Sequence, residues 1–291
     1  MRHAILGVGG IGGLIGGALA RTGADVVLVM RPETLAGYDG RLAVESAVLG
    51  DFEVAVPAVP RLDRAVDVLW VTTKAPSLES ALSSAPPEHV GDGVVIPFLN
   101  GVDHVAFLRK RYPNVVAGAI RVESERVATG HIRQLSPFLL VDLSGAEDVA
   151  AELQAAGLDT RVRPDEVSLL WDKLAVLAPI ALATTAFAGP LGDVRGDARF
   201  QGCRDEAIAV ARAFGAEIDA DALRAMIEAA PADTRSSMQK DVAAGRAPEL
   251  DAIAGPILRG GQRHGIPVPT TAELARLVAA RVSERRDSSD A

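Results

Sequence analysis

The chain has 291 residues, a length that accommodates two domains, and 48% of them are hydrophobic, so a globular protein with an ample core is expected. A formal net charge of −8 argues against nucleic acid as a partner, because binding to phosphates requires a basic surface. One cysteine, Cys203, is too few for an intrachain disulfide or a cysteine-based metal cluster, and we predict no metal site.

The chain begins with an apolar segment that leads directly into glycines. Residues 2–6 predict a first strand, followed by Gly7-x-Gly9-x-x-Gly12 and a helix. In dinucleotide-binding folds such glycines permit a tight turn, a close approach of the backbone to the pyrophosphate, and close packing of helix on strand. The amides and dipole of the helix amino terminus then face the anion. A second strand predicted at 24–30 follows at the expected interval, which favours nucleotide binding over a glycine-rich turn in another α/β protein.

The residue after the second predicted strand favours NADP over NAD. NAD-binding proteins usually place Asp or Glu there, where the carboxylate accepts a hydrogen bond from the ribose 2′-hydroxyl. In this chain Arg31 follows the strand, and the first carboxylate is that of Glu33. A guanidinium forms forked, charge-assisted contacts with a 2′-phosphate, which a carboxylate would repel. The alternative is a solvated arginine at a strand end.

Alternating strands and helices continue to about residue 164 and predict a doubly wound, Rossmann-type α/β sheet. Buried parallel strands are predicted at 65–72, 93–99 and 114–120, antiparallel additions at 130–135 and 138–143, and a last short strand at 160–163. Helical periodicity then predicts helices at 165–187, 199–215, 220–228, 234–245, 249–264 and 270–285, the last capped by Thr270 and followed by a frayed polar tail at 285–291. The sequence thus predicts a nucleotide-binding domain at 1–164, an all-helical domain at 165–291, and a small-molecule site in a cleft between them.

Several polar side chains lie where this architecture places chemistry. Lys74 and Asn100 follow two of the predicted parallel strands, and ligands of such sheets bind outside the carboxyl ends of the strands. Lys173 lies in an otherwise apolar helix, from which it either extends to the surface or donates a proton to a developing alkoxide. Glu249 stands at a predicted helix start, where stabilisation of the helix dipole is the alternative to a functional role.

The assembled motifs resemble the ketopantoate reductase family over nearly the whole chain. The resemblance rests on the glycine motif, Val71-Thr72-Thr73-Lys74, Leu99-Asn100-Gly101, Trp171-Asp172-Lys173-Leu174-Ala175-Val176, and the segments 236–241 and 245–251. It implies that NADPH binds to Gly7, Gly9, Gly10, Ile11, Gly12, Arg31, Lys74 and Asn100. It also implies that Lys173 is the general acid, that Glu249 is a second catalytic residue, and that Asn100, Ser237 and Glu249 bind the substrate.

The Lys173 helix departs from the family pattern, which usually has asparagines one and two turns beyond the lysine. Leu177 and Ala181 occupy those positions on the same helix face, and Thr234 stands where the family often has asparagine. The resemblance implies NADPH-dependent reduction of ketopantoate or a related small 2-oxo acid. Two charged residues and a proline within the apolar stretch 171–187 argue against a membrane span, so we expect a cytoplasmic protein without nucleic acid or membrane partners. The alternative is a catalytically weak NADP-binding sensor of the same fold, which the presence of both Lys173 and Glu249 disfavours. Which 2-oxo acid is reduced, and whether the protein is a homodimer, stays open at this point.

Overall fold

The computed structural model describes the backbone of residues 1–289 and the side chains of residues 1–285. Its strands are β1 (Arg2–Leu6), β2 (Asp25–Val29), β3 (Arg41–Ser46), β4 (Phe52–Ala55), β5 (Ala58–Val59), β6 (Val68–Val71), β7 (Val94–Pro97), β8 (Gly118–Arg121), β9 (Ser124–Ala128), β10 (His131–Gln134), β11 (Leu140–Leu143) and β12 (Asp159–Val162). Its helices are α1 (Gly10–Arg21), α2 (Pro32–Leu35), α3 (Leu78–Ala81), α4 (Pro87–Val90), α5 (Asp103–Leu108), α6 (Glu147–Ala155), α7 (Glu166–Phe187), α8 (Leu191–Val194), α9 (Ala198–Ala213), α10 (Ala220–Ala229), α11 (Ser237–Ala243), α12 (Leu250–His264) and α13 (Pro269–Ser289).

The chain divides into two compact units. Unit 1 consists of Met1–Leu99 and His104–Leu169, and unit 2 consists of Asn100–Asp103 and the chain from Leu170 onward. The short segment 100–103 therefore belongs with the helical part of the protein, although it directly follows the strand region of unit 1 in sequence. This placement assigns Asn100 to the same unit as Lys173 and Glu249.

The centre of unit 1 is a parallel sheet, which within the described residues has the strand order β5-β2-β1-β6-β7. Its strands β1, β2, β6 and β7 are almost continuous buried apolar runs, as expected for a parallel sheet. From β1 the chain adds β2 and β5 on one side and β6 and β7 on the other. The carboxyl ends of β1, β2 and β6 therefore lie at a topological switch point, where such folds bind ligands. The prediction of a Rossmann-type sheet is confirmed.

The later strands do not extend this sheet, which corrects the prediction that they are antiparallel additions to it. In the described part of the chain β10 belongs to a sheet of order β4-β3-β10-β9, and β11 belongs to another of order β12-β11-β8. The predicted parallel strand at 114–120 is also corrected. Val115 forms a single parallel bridge with Val95, after which β8 pairs antiparallel with β11. The exposed positions of β3, β4 and β9 interrupt their apolar runs, which is why the sequence did not reveal them.

A buried hydrogen-bonded group lies near the amino end of β1. The Trp70 indole donates a hydrogen bond from Nε1 to Nδ1 of His3 at 3.2 Å, and His3 Nε2 lies 2.6 Å from Glu152 Oε2. Because Nδ1 accepts, the neutral ring carries its proton on Nε2 and donates it to the carboxylate. Burial lowers the pKa of His3, while the Glu152 carboxylate opposes this shift. The imidazole is therefore held neutral in the core.

Unit 2 is helical, and α7, α9, α12 and α13 contribute to its apolar core. Helix α7 is long and apolar enough to cross a membrane, but 67% of its most apolar stretch is buried inside the protein. Most of this stretch therefore contributes to the core of the protein. Cys203 of α9 is fully buried in this core, as expected for a packing residue, and burial raises the pKa of its thiol to about 12.

Helix α13 begins at Pro269, which corrects the prediction that Thr270 is its N-cap. Glu206 of α9 supplies the cap instead, and accepts hydrogen bonds from the backbone amides of Thr270 at 2.8 Å and Thr271 at 2.7 Å. A carboxylate at this position also interacts favourably with the helix dipole. The helix continues to Ser289, beyond the predicted start of a polar tail, and residues 290–291 of that tail lie outside the described residues.

Candidate active site

The glycine turn joins β1 to α1, as the motif predicts. Gly7 has a φ of +97°, and a Cβ there would lie 2.8 Å from the backbone nitrogen of Thr73, so conformation and packing both require glycine. A Cβ at Gly12 would lie 2.3 Å from the Gly7 carbonyl oxygen and 2.9 Å from Ile5 Cγ2. A Cβ at Gly9 would meet no atom of the described residues within 4 Å. Packing thus explains why positions 7 and 12 must be glycine. At Gly9 the space next to the helix amino terminus is open, as the approach of a pyrophosphate requires.

Gly10 and Ile11, the other two predicted cofactor residues of this turn, begin α1. A Cβ at Gly10 would lie 2.3 Å from the carbonyl oxygen of Ser124, whose hydroxyl donates to the Gly10 carbonyl at 2.9 Å. Ile11 is half-buried and packs against the core of unit 1. Packing on β9 therefore accounts for the glycine at position 10, and the cofactor role of both residues stays a prediction.

Arg31 and Lys74 follow the strands that flank β1. Arg31 comes two residues after β2 and precedes the short helix α2, and Lys74 comes three residues after β6. Both side chains are exposed. Since neighbouring strands lie about 4.8 Å apart, the ends of β2 and β6 lie roughly 10 Å apart with the glycine turn between them. Two cations therefore border the edge of the sheet at which the fold binds nucleotides.

Lys173 lies about two turns from the amino end of α7 and is half-buried. The following residues Leu174 and Ala175 are fully buried in the core of unit 2. One and two turns beyond the lysine, Leu177 is half-buried and Ala181 is 1% exposed. Both positions thus carry apolar side chains in place of the two amides, and of the two only Leu177 is partly exposed.

Asn100 and Glu249 are in direct contact in unit 2, although 149 residues separate them in sequence. The Asn100 amide donates a hydrogen bond from Nδ2 to Glu249 Oε2 at 2.9 Å, and both side chains are half-buried. Glu249 is the N-cap residue of α12, but among the described residues its side chain makes no capping hydrogen bond. The carboxylate is therefore directed to Asn100, and two residues that the resemblance assigns to the substrate lie together.

The serines before α11 have different environments. Ser237 is exposed, whereas Ser236 is buried and caps the helix by accepting a hydrogen bond from the Gln239 amide at 3.1 Å. Ser236 Oγ lies 2.8 Å from Thr184 Oγ1, which donates to the Ile180 carbonyl at 2.7 Å. Because a carbonyl only accepts, Thr184 gives its one hydrogen to Ile180 and accepts one from Ser236. Both hydroxyl hydrogens are thereby used within the protein, and neither is available to a substrate.

The Ser236–Thr184 pair was not among the predicted contacts, and the predicted helix start at 234 lies three residues before the start of α11. A Ser followed three residues later by Gln is an N-cap signal, and Ser236 and Gln239 show it. Thr184 stands three turns beyond Lys173 on the same helix face, which is a second signal in the sequence. Within the part of the chain that the structure describes, no cluster of three or more His, Cys, Asp or Glu side chains could hold a metal ion.

Two family models match the chain. The model described as "Ketopantoate reductase PanE/ApbA" matches residues 3–141, and that described as "Ketopantoate reductase PanE/ApbA C terminal" matches residues 167–282. The chain belongs to the ketopantoate reductase family. This family consists of NAD(P)-dependent oxidoreductases that act on CH–OH groups, so the protein is an enzyme of that class.

Relatives of known name cover nearly the whole chain. The 2-dehydropantoate 2-reductase of Caulobacter vibrioides is 31% identical over 294 residues, which cover 95% of this chain and 98% of that protein. The crystal structure of a PanE/ApbA family ketopantoate reductase from Ralstonia eutropha has a TM-score of 0.88 and 29% identity, and covers 98% of this chain and 100% of that chain. A D-mandelate dehydrogenase solved with NADH and anilino(oxo)acetate has a TM-score of 0.89 with the same coverage, but at 22% identity it shows the shared fold alone.

Proposed function

We propose that this protein reduces a small 2-oxo acid, ketopantoate or a close relative, to the 2-hydroxy acid with NADPH. The observation that carries the proposal is the Asn100–Glu249 hydrogen bond, because it joins two polar residues in the unit that also contains Lys173. A sensor protein would need neither the lysine nor the carboxylate. None of the comparisons favours that alternative.

The turn after β1 fits a dinucleotide, because the Cβ position of Gly9 is open while Gly7 and Gly12 are required by packing. The residues that would hold NADPH are Gly7, Gly9, Gly10, Ile11, Gly12, Arg31, Lys74 and Asn100. The bound cofactor would supply a hydride to the carbonyl carbon. Preference for NADP rests on the exposed guanidinium of Arg31, for which a 2′-phosphate is a matching partner.

Reduction of a ketone requires a proton at the oxygen as well as a hydride at the carbon. Lys173 is the proton donor in this proposal, because it is a half-buried cationic residue on an apolar helix. A cation there also stabilises the negative charge that develops on the oxygen. Asn100 has two N–H donors and one oxygen, so donation to Glu249 leaves groups that can bind the nicotinamide ribose or the substrate. Ser237 and Glu249 would bind the polar ends of the substrate.

We further propose a cytoplasmic location, with small molecules as partners rather than nucleic acid or membranes. A net charge of −8 and the burial of α7 in the core support this. Self-association into a homodimer stays a prediction, which light scattering of the purified chain tests.

The test of the proposed function is NADPH oxidation by the purified protein with ketopantoate and a panel of other 2-oxo acids. We expect one NADPH to be consumed per 2-hydroxy acid formed, with the product identified by mass spectrometry. NADPH binding without oxidation in the presence of every 2-oxo acid tested would contradict the proposal and support the sensor alternative.

A further inference from the structure

The segment 100–103 lies against the first turn of α12, and Gly101 faces the backbone of Ala252. Its φ is +87°, in the region that favours glycine. A Cβ at this position would lie 2.2 Å from the carbonyl oxygen of Ala252 and 3.5 Å from its Cα. A backbone oxygen within a helix cannot rotate away as a flexible side chain can. The absence of a side chain at Gly101 therefore sets how closely the segment approaches α12.

Contacts on both sides of Gly101 attach the same segment to α12. On one side Asn100 donates to Glu249 at 2.9 Å. On the other side Arg259 pairs with Asp103 at 2.6 Å and with Asp251 at 2.7 Å. The three charged side chains are 52–83% exposed, so their ion pairs contribute little on their own. The absence of a Cβ at Gly101 thus permits the close approach to α12 on which the Asn100–Glu249 hydrogen bond depends.

We propose that Gly101 is a positioning residue that holds the Asn100 amide on the Glu249 carboxylate. The inference rests on the proposed function, because it concerns the two residues assigned there to the substrate. Relief of a 2.2 Å contact by any Cβ requires the segment to move by roughly 1 Å, and a misplacement of that size can cost about 10²-fold in rate. Gly101 acts through Asn100 and does not itself touch the substrate.

The experiment compares Gly101→Ala with the matched control Gly215→Ala. Gly215 also belongs to unit 2 and has a φ of +90°, but a Cβ there would meet no atom of the described chain within 4 Å. Alanine is therefore strained at both positions and meets a neighbour only at 101. We expect kcat/KM for ketopantoate to fall about 10²-fold in Gly101→Ala. In Gly215→Ala it should stay close to the wild-type value.

A second readout does not depend on activity. In the wild-type protein the charge-assisted hydrogen bond to the Glu249 carboxylate should displace the NMR signals of the Asn100 side-chain amide downfield, and Glu249→Gln should abolish this displacement. We expect Gly101→Ala to abolish it as well and Gly215→Ala to preserve it. If the wild-type protein reduces no 2-oxo acid, the proposed function fails, and the amide signals still decide the role of Gly101.

Asparagine adopts left-handed backbone more readily than other non-glycine residues, so Gly101→Asn and Gly215→Asn repeat the comparison with less strain. Equal losses at positions 101 and 215 would overturn the proposal, because backbone strain alone would then explain them. An unchanged kcat/KM together with unchanged chemical shifts of the Asn100 side-chain amide in the Gly101 variants would also overturn it. So would failure of both Gly101 variants to fold while the Gly215 variants fold, since Gly101 would then serve stability rather than the site.

Discussion

Replacement of Arg31 by alanine tests the cofactor assignment in unit 1. Arg31 is exposed beyond the carboxyl end of β2, next to the glycine turn. A hydrogen bond to a charged group contributes about 1.5–3 kcal/mol, and exposure to solvent places Arg31 at the lower end of this range. About 1.5 kcal/mol corresponds to roughly a tenfold change in Kd. We therefore expect the Kd of NADPH to rise about tenfold in Arg31→Ala, while the Kd of NADH, which lacks the 2′-phosphate, stays nearly constant.

Isothermal titration calorimetry with each cofactor gives the two dissociation constants. Arg64→Ala is the matched control, because Arg64 is also exposed but precedes β6 at the opposite, amino end of the strand. The Arg64→Ala variant should bind NADPH and NADH with the same Kd values as the wild-type protein. Added salt should reduce the NADPH preference of the wild-type protein, since an exposed charge pair is screened. Equal weakening of NADPH and NADH binding in Arg31→Ala would refute the reasoning.

Three further predictions concern buried polar groups and the substrate. Thr184→Val removes the acceptor of the buried Ser236 hydroxyl at nearly constant volume, and should lower the free energy of unfolding by about 1–3 kcal/mol in a denaturant titration; an unchanged midpoint would contradict the pairing. Burial holds the pKa of His3 below its usual 6.5, so the free energy of unfolding should decline as pH falls from 6.5 through the folded-state pKa, because a protonated ring cannot accept from Trp70. The same decline in His3→Asn would exclude His3 as its cause. We expect wild-type kcat/KM to be lower for ketopantoate than for 2-oxo acids of similar size that lack the distal hydroxyl. Leu177→Asn restores an amide, and should raise kcat/KM for ketopantoate roughly tenfold relative to kcat/KM for those acids. If the two values keep their wild-type ratio, this helix face does not contact the hydroxyl.

Local patterns in the sequence were sufficient to predict the parallel sheet and the helical second part. The first strand and the glycine turn could be predicted because the glycine requirements at Gly7 and Gly12 involve residues that are close in sequence or that follow the adjacent strand β6. Partner choice among the later strands could not be predicted, because β10 pairs with β3, about 90 residues earlier in the chain. The N-cap of α13 was missed for the same reason, since Glu206 lies 64 residues before Thr270.

At the candidate site, too, the sequence identified individual residues but not the contacts between residues that are distant in the chain. The motifs singled out Asn100 and Glu249 separately, but nothing in either segment indicates that the amide donates to the carboxylate. Gly101 was noted only as part of a motif, and its steric requirement depends on a helix carbonyl about 150 residues later. The roles of Lys173 and Ser237 stay predictions, because they depend on a substrate.

In the proposed reaction Lys173 donates the proton to the ketone oxygen, and the most direct test of this role is kcat for ketopantoate at saturating NADPH in Lys173→Ala. Lys110→Ala is the control, because Lys110 is an exposed lysine of unit 1. We predict that kcat falls roughly 10²-fold or more in Lys173→Ala, the usual scale for loss of a positioned proton donor, with NADPH affinity retained. The control should keep the wild-type kcat. A folded Lys173→Ala protein that binds NADPH and turns over at the wild-type rate would contradict the claim.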